Sequence, residues 1–527
     1  MAFAALRARL CGASWCVTSL TVAALTGVTS AQIAYDTSFA TGGKYVSGLN
    51  GDDIAKSMAL QQGRVYVAGV CPSIARPPLL PAKPACVLRL LANGQADTSF
   101  NAGLVSTTGR LSFIIGDTDT DVYDMVVGLD GKITVSGRCT VSSVAKACLL
   151  RLLPNGTVDG GFGTGGRVYL PLDTSTGGDA LPLLAESDGS VLIASALQTT
   201  YAPSTFGYDI LIRRVNNAGV ATQFGRTTLS PGSSAPILVP RVLLRQADGK
   251  IVVALDGQVP SPAVTVTGAL RFQADGSHET TYGGPPGSSP FAGYLLAYPA
   301  ASISGNATVS RAAIMPDGAL VITARYGAGF YLAAAVGVNA QPSAGAVSGS
   351  DGWLRFRIAD LSLGSVTTVD RGVAVASTVD NKILIAAHSS SGGYTAFTRL
   401  ASDGTLDTSF PALPNSVVDS KVRLAEAGIA IQPDRKIVIV GNNDATNDFA
   451  VGRLNRIADP FPACTPDVDG DGSHSATVDG LVWSRVMLGM TGTAVTSGIG
   501  FPAGATRTTW SAIRSYLVSE CGMVLAP

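Results

Sequence analysis

The stretch LRLLANGQADTSF, residues 88–100, recurs along the chain and decides the fold. It returns as LRLLPNGTVDGGF at residues 150–162 and as TRLASDGTLDTSF at residues 398–410. Each copy contains an apolar strand, an Asn-Gly or Asp-Gly turn, and a short segment that ends in Phe. A segment that recurs at a steady period is typical of a repeat architecture, in which each copy is one structural unit.

A second stretch lies between these copies and occurs seven times. Its members share an apolar segment, a tight turn and an alternating strand, and their turn residues are Gly63, Gly131, Gly189, Gly249, Gly318, Asn381 and Arg435. Asp-Gly between two apolar runs indicates a β-hairpin, because Gly adopts positive φ at little steric cost. The first stretch supplies a third and a fourth strand, so each period predicts one four-stranded antiparallel blade of a β-propeller.

The two ends of the repeat array complete each other. YDTSFATGGKYV, at residues 35–46, is a fourth strand without the first three, and FAVGRLN, at residues 449–455, is a third strand without its fourth. We therefore predict an all-β, seven-bladed β-propeller over residues 32–458, closed by the N-terminal strand so that no sheet edge stays open. The repeated Phe residues, with Tyr282 in the same place, should pack between blades, and Asp97 and Ser99 should hold their turn.

Two stretches carry a family resemblance. LLRLLPNGTVDGGFGTGGRV, residues 149–168, and IQPDRKIVIVGNNDATNDFAVGRLN, residues 431–455, resemble the delta-60 repeat family of bacterial secreted proteins. The resemblance covers about residues 33 to 457. It implies a β-propeller of unassigned biochemical role and contributes no catalytic residues.

The first 31 residues are predicted to be a secretory signal peptide. Arg7 and Arg9 give a positive start, an apolar run covers residues 20–28, and Thr29 and Ala31 are small residues at cleavage-site spacing. The apolar run is too short to cross a membrane. We expect a mature chain without a transmembrane segment that is extracellular, cell-surface or periplasmic.

Six cysteines follow this segment, which fits an oxidising compartment. Cys71 and Cys86 bracket one hairpin, and Cys139 and Cys148 bracket the next hairpin in the same way. We predict disulfides within these two pairs. A third disulfide, between Cys464 and Cys521, is expected to enclose the C-terminal segment.

The C-terminal segment, residues 459–527, contains the sequence DVDGDGSHSATVD from Asp467. Acidic residues at positions one, three and five, with Gly472 at position six, are typical of a calcium loop. The predicted Ca²⁺ ligands are Asp467, Asp469, Asp471, Ser473 and Asp479. Asp479 lies one residue beyond the usual acidic position twelve and at a predicted helix start. The alternative interpretation is an Asp/Gly-rich turn at the head of a helix.

This segment resembles dockerin-type modules, which pair calcium loops with short helices. It has one loop where that family has two. A second helix is predicted at TTWSAIRSYL, residues 508–517, with Thr508 or Thr509 as its cap. Trp510, Ile513 and Leu517 would then share one face. The resemblance implies calcium as a cofactor and a role in attachment.

One pattern of carboxylates recurs on the predicted propeller. Asp53, Asp121 and Asp179 each lie ten residues before the hairpin Gly of their blade, which predicts equivalent places near the start of the first strand. Such carboxylates could hold a cation or a polar ligand at the channel mouth. The alternative is that each caps its own turn. Later blades have Val239 and Thr308 at this place.

Two functional hypotheses follow. Lys plus Arg and Asp plus Glu are both 37, so no basic surface for nucleic acid is indicated. No catalytic motif is found. We favour a secreted, non-catalytic, monomeric propeller that presents a binding surface to an extracellular protein or glycan, with a calcium-binding module for attachment. The alternative is an extracellular polysaccharide hydrolase or lyase that uses carboxylates at the channel face.

Overall fold

The structure is a computed structural model of the chain. It describes residues 33–47, 53–71, 84–100, 109–117, 120–172, 180–202, 205–227, 237–260, 263–282, 293–297, 307–326, 329–335, 353–357, 371–378, 380–389, 394–402, 405–410, 417–419, 422–432, 434–443, 445–455, 466–519, 521, 523 and 525. The predicted signal peptide and Cys464 lie outside these residues.

The regular elements of the described chain are strands up to residue 455 and helices after it. The strands are β1 (Lys44–Val46), β2 (Ile54–Gln61), β3 (Arg64–Val70), β4 (Ala85–Leu90), β5 (Arg110–Phe113), β6 (Thr120–Val127), β7 (Ile133–Val141), β8 (Val144–Leu152), β9 (Arg167–Pro171), β10 (Leu183–Ala185), β11 (Val191–Ala202), β12 (Thr205–Val215), β13 (Ala221–Arg226), β14 (Ile237–Arg245), β15 (Ile251–Pro260), β16 (Ala263–Phe272), β17 (Tyr294–Ala297), β18 (Ala307–Ile314), β19 (Leu320–Tyr326), β20 (Gly329–Ala335), β21 (Trp353–Arg357), β22 (Arg371–Ser377), β23 (Ile383–Ser389), β24 (Tyr394–Leu400), β25 (Val417–Asp419), β26 (Arg423–Ile431), β27 (Ile437–Asn442) and β28 (Phe449–Leu454). The helices are α1 (Asp479–Met487), α2 (Thr493–Thr496) and α3 (Trp510–Ser519).

These strands form four-stranded antiparallel sheets arranged as a propeller. Seven such sheets are present among the described residues: β2–β5, β6–β9, β10–β13, β14–β17, β18–β21, β22–β25, and β26–β28 with β1. We number them blades 1 to 7 in that order. The first strand of each blade contacts the first strand of the next, and β26 contacts β2, so the ring is closed. The expected all-β propeller with four-stranded antiparallel blades is confirmed.

The N-terminal strand completes the last blade, as predicted. Strand β1 pairs with β28, with Tyr45 opposite Val451. A further bridge joins Tyr35 to Leu454. Blade 7 is therefore built from both ends of the repeat array, and the edge of β28 is covered.

The apolar cores lie between neighbouring blades. Phe39 belongs to a buried cluster from blades 7 and 1, Phe100 to one from blades 1 and 2, and Phe162 to one from blades 2 and 3. All three rings are fully buried. The predicted packing of the repeated aromatic residues between blades is confirmed for them.

The first hairpin of every blade turns at a residue with positive φ. Five of the seven turn residues are glycines, and Asn381 (φ 59°) and Arg435 (φ 64°) adopt the same conformation. A side chain is disfavoured there, whereas Gly meets no such penalty. The Asp-Gly signal in the sequence therefore corresponds to a real backbone requirement.

The repeated stretch forms a unit centred on an arginine side chain. In blade 1, Arg89 Nε lies 2.9 Å from Asp97 Oδ2, and its guanidinium stacks 4.4 Å from the Phe100 ring centre. The same arrangement of arginine, carboxylate and aromatic ring occurs in blades 2, 3, 4, 6 and 7, as Arg151–Asp159–Phe162, Arg214–Glu186–Phe224, Arg271–Glu279–Tyr282, Arg399–Asp407–Phe410 and Arg453–Asp36–Phe39.

The arginine units of blades 1 and 7 also reach the neighbouring blade. Ser99 donates through its amide and its hydroxyl to Asp97 Oδ1, which confirms the predicted turn role of both residues. The Arg89 guanidinium donates to the Pro154 carbonyl of blade 2. In blade 7, Arg453 donates to the Ala92 carbonyl of blade 1 at 2.7 Å. The unit therefore joins one blade to the next.

Both cross-strand disulfides predicted in the propeller are present. Cys71 is bonded to Cys86 and Cys139 to Cys148, with Cα–Cα distances of 5.9 and 6.0 Å. Both link the second and third strands of their blades. Disulfides of this kind persist in oxidising compartments. The longest described helix, α3, has 10 residues, and none of the described helices could cross a membrane.

The closure of the ring can be tested at Asp36. Asp36→Asn removes the charge that faces Arg453 and Lys436 inside blade 7. We expect a loss of about 3 kcal/mol in the free energy of unfolding, because a buried cation loses its counterion. Urea denaturation measures this loss. Asp434→Asn, at a side chain 55% exposed in the same blade, is the control and should change stability by less than about 0.5 kcal/mol. Equal effects of the two substitutions would contradict the role of the Asp36 ion pairs in closing the ring.

The arginine units also predict an acid limit for stability. Burial alone would raise the pKa of Asp97 and Asp159, but hydrogen bonds and the neighbouring cations lower the pKa of both carboxyl groups in the folded state. Because unfolded Asp has a pKa of about 3.9, this stabilisation should be complete above that pH and be lost as the pH falls through the folded values.

Denaturation midpoints at pH 7, 5, 4 and 3 measure this acid limit. Asp97→Asn should be less stable than the parent at pH 7 and should lose less stability between pH 5 and pH 3. An identical acid loss in parent and variant would show that Asp97 does not contribute to it.

Candidate functional site

The C-terminal residues form a small helical unit with its own core. Val482 and Val486 of α1 pack with Val468, Val495, Ile513 and Leu517, all of them buried. The predicted second helix is α3, and Thr509 caps it by accepting a hydrogen bond from the Ala512 amide at 3.3 Å. Cys521 is disulfide-bonded, and its predicted partner Cys464 lies outside the described residues.

Three carboxylates converge in the loop that precedes α1. One oxygen from each of Asp467, Asp469 and Asp471 lies within 4.8 Å of the other two. Calcium ions in proteins take six to eight oxygen ligands at about 2.3–2.6 Å. Three carboxylates at this separation can share one such ion, so the donor set fits Ca²⁺.

The local fold of the loop follows from Asp467. Its Oδ1 accepts a hydrogen bond from the Gly470 amide at 2.6 Å, and its Oδ2 accepts one from the Gly472 amide at 2.9 Å. Gly470 and Gly472 have φ of 76° and 86°, so the chain can double back within six residues. The alternation of Asp and Gly in the sequence therefore produces a tight turn with its carboxylates on one side.

Asp469 is the least satisfied member of the group. Its side chain is 1% exposed, and its Oδ2 is buried without a hydrogen-bond partner. Burial, together with the negative charges of Asp479 and Asp471, raises the pKa of Asp469. A buried oxygen that lacks a donor is costly unless a cation or a proton compensates it.

Asp479 has a different environment from the three converging carboxylates. It is the first residue of α1 and is buried, and its Oδ1 accepts a hydrogen bond from the Val468 amide at 2.7 Å. Its Oδ2 accepts one from the Ser475 amide at 2.8 Å. Asp479 therefore closes the loop onto the helix. Ser473 is exposed, and its amide donates to Asp471 Oδ1 at 2.7 Å.

The carboxylates predicted at the channel mouth do not occupy equivalent places. Asp53 is 1% exposed, whereas Asp121 is exposed. Ala55 pairs with Gly69 and Val122 with Gly137, and each glycine also pairs with the third-strand cysteine of its blade, so Ala55 and Val122 are equivalent. Asp53 thus corresponds to Thr120, and Asp121 corresponds to Ile54. Asp179 lies outside the described residues. The expectation of equivalent positions is wrong for the two carboxylates that can be compared.

The reason is a one-residue difference in the first hairpin. Blade 1 has a shorter connection between the first strand and the turn than blade 2, so counting back from the hairpin Gly shifts the register by one. Successive residues of a strand point to opposite faces, so a shift of one residue exchanges buried for exposed. Spacing along the sequence could not reveal this shift.

Asp53 belongs to the joint between blades 7 and 1. Its carboxylate lies 3.2 Å from Arg110 Nη1 and accepts a hydrogen bond from the Ser47 hydroxyl at 3.0 Å. The Asn442 side chain donates to the Asp53 carbonyl and accepts from the Ala55 amide. Burial raises the pKa of Asp53, although Arg110 opposes the rise. These contacts give Asp53 a structural role in ring closure.

The wall of the channel carries charged groups that the sequence analysis missed. Arg311 of blade 5 donates from Nη2 to the Lys56 carbonyl of blade 1 at 3.0 Å, and therefore crosses the ring. Asp124 of blade 2 accepts hydrogen bonds from the Ser57 hydroxyl at 2.7 Å and the Leu183 amide at 2.8 Å. A charged residue within an apolar strand is the only sequence signal for either position.

A family model described as a domain of unknown function (DUF5122) beta-propeller matches residues 129–162 and 380–410. The match is to a β-propeller family. Both segments run from the first hairpin turn of a blade to its repeated Phe, in blades 2 and 6. No curated protein sequence matches the chain.

Several solved structures are similar to this chain at low sequence identity. Drosophila Semaphorin 2a is 12% identical, with a TM-score of 0.42 over 81% of this chain and 76% of that one. The polysaccharide lyase Uly1 is 9% identical, with a TM-score of 0.41 over 82% and 98%. A puromycin hydrolase mutant complexed with PGG is 14% identical, with a TM-score of 0.41, and the chain spans only 55% of its length.

The two comparable channel carboxylates predict opposite responses to substitution. Asp53→Asn should lower the free energy of unfolding by about 3 kcal/mol, because it leaves Arg110 buried without its counterion. Asp121→Asn should change it by less than about 0.5 kcal/mol, because the side chain is exposed. Urea denaturation measures both. A loss of calcium binding in Asp121→Asn would instead favour the predicted ligand role.

Proposed function

We propose that the protein is an extracellular, non-catalytic β-propeller whose C-terminal unit binds one Ca²⁺ and attaches it to a surface or partner. The observation that carries the calcium site is the convergence of three carboxylates around the unpartnered, buried Oδ2 of Asp469. A cation at this point would satisfy that oxygen and neutralise the mutual repulsion of the three side chains. Extracellular calcium, at about 10⁻⁴–10⁻³ M, is enough for a weak site of this kind.

The binding role of the propeller is supported by the way its carboxylates are used. Asp53, Asp209 and Asp256 are buried, and each lies within ion-pair distance of an arginine of the same blade. Asp124 is hydrogen-bonded to its neighbours. A glycosidase needs two carboxyl groups about 5–9 Å apart in an open cleft. These four carboxylates are engaged in structural contacts, which supports a presented surface as the function of the propeller.

Isothermal titration with CaCl₂ on the metal-free, full-length mature protein tests the calcium site. We expect one binding event in the parent. The variant Asp467→Ala, Asp469→Ala, Asp471→Ala should lose it. The matched control replaces Asp130, Asp248 and Asp434 by Ala, which removes the same charge from three exposed hairpin turns of the propeller. That control should bind as the parent does.

The other outcomes of this titration are equally informative. Absence of binding in the parent would reject the calcium site and leave the C-terminal unit as a disulfide-closed cap. Equal binding in the loop variant and the parent would move the metal to the propeller, where Asp121 would be the first residue to test.

A further inference from the structure

We propose that Arg507 is a positioning residue for calcium: it braces the Asp467–Gly472 loop so that the three carboxylates converge before the ion arrives. The inference rests on the proposed calcium site. Arg507 lies in the segment between α2 and α3, forty residues from the start of the loop, and no sequence pattern links the two.

The guanidinium of Arg507 holds the first two carbonyls of the loop. Its Nε donates to the Val468 carbonyl at 2.8 Å, and its Nη2 donates to the Asp467 carbonyl at 2.7 Å. Its Cζ lies 4.0 Å from the ring centre of Tyr516 on α3. The planar fork of arginine suits two adjacent acceptors, and an aromatic face fixes its plane.

Thr506 and the backbone amide of Arg507 hold the next two carbonyls. The amides of Thr506 and Arg507 both donate to the Asp469 carbonyl, at 2.9 and 2.8 Å. The Thr506 hydroxyl donates to the Gly470 carbonyl at 3.2 Å. Two residues of another segment therefore bind four successive carbonyls of the loop. Because these carbonyls are occupied, the carboxylates are the oxygen ligands that the loop offers to a cation.

Gly470 is adapted to this brace. A Cβ at residue 470 would lie 2.2 Å from Thr506 Oγ1 and 2.8 Å from Arg507 Cζ. Any side chain there would push the 506–507 segment away from the loop. The glycine thus serves the contact with Arg507 as well as its own positive φ.

The brace and the charge of Arg507 are expected to have opposite effects on the affinity for Ca²⁺. A loop held in its binding geometry pays less ordering entropy when the ion binds, so removal of the brace should weaken calcium binding. A positive charge near the site repels Ca²⁺, so removal of the charge alone should strengthen binding. Arg507→Lys separates the two effects, because Lys keeps the charge and loses the fork.

The experiment compares three variants of the full-length mature protein by calcium titration. We expect Arg507→Lys to raise the Kd for Ca²⁺ about tenfold, the change produced by about 1.4 kcal/mol. Arg507→Met should raise it less, because loss of the repelling charge offsets part of the loss of the brace. The control is Arg485→Met. Arg485 donates to the Val495 and Ser497 carbonyls of the same unit, away from the loop, so its loss should lower the melting temperature and leave Kd unchanged.

Hydrogen exchange of the metal-free protein gives a second readout that does not depend on calcium. The amides of residues 470–472 should exchange faster in Arg507→Met than in the parent, and at the parent rate in Arg485→Met. An unchanged or lower Kd in Arg507→Lys would overturn the inference. If the parent itself does not bind Ca²⁺, the proposed function fails, and exchange alone decides whether Arg507 braces the loop.

Discussion

Six of the seven blades are built around one interaction among the described residues, an arginine held between a carboxylate and an aromatic ring. The arginine lies on the third strand, and in blades 1, 2, 4 and 6 the acid follows eight residues later at the next turn, as with Arg89 and Asp97. A buried guanidinium is costly unless its donors are satisfied. In blades 1, 2 and 7 a donor of this arginine reaches the backbone of the following blade, so the same interaction also ties neighbouring blades together.

This arrangement explains which features could be predicted from the sequence. The Asp-Gly turns, the aromatic positions and the two cross-strand disulfides recur with the blade period, so one rule applied to each copy located them all. The role of the arginine in joining blades was missed because its acceptor in the next blade, the Pro154 carbonyl in the case of Arg89, lies 65 residues away in the chain. In blade 3, no acid follows Arg214 at the usual place, and Glu186 of the first hairpin supplies the carboxylate instead.

The candidate sites show the same limit of prediction from the sequence. The three aspartates of the calcium loop are close in sequence, so their convergence could be foreseen from local geometry. The equivalence of Asp53 and Asp121 could not be judged, because a one-residue change in hairpin length inverts the face of a strand. Arg507 and Arg311 act on groups far away in the chain, and only the folded arrangement brings them there.

The closure of blade 7 by β1 also affects how the propeller resists force. The segment that leads to the C-terminal unit departs from the end of β28, where the Asn455 amide donates to the Ala34 carbonyl at 2.8 Å. Strand β28 is hydrogen-bonded on both sides, to β27 and to β1. Tension applied through residue 455 therefore loads an interior strand in shear along two ladders. An edge strand at this position would be held by a single ladder and could peel away from it.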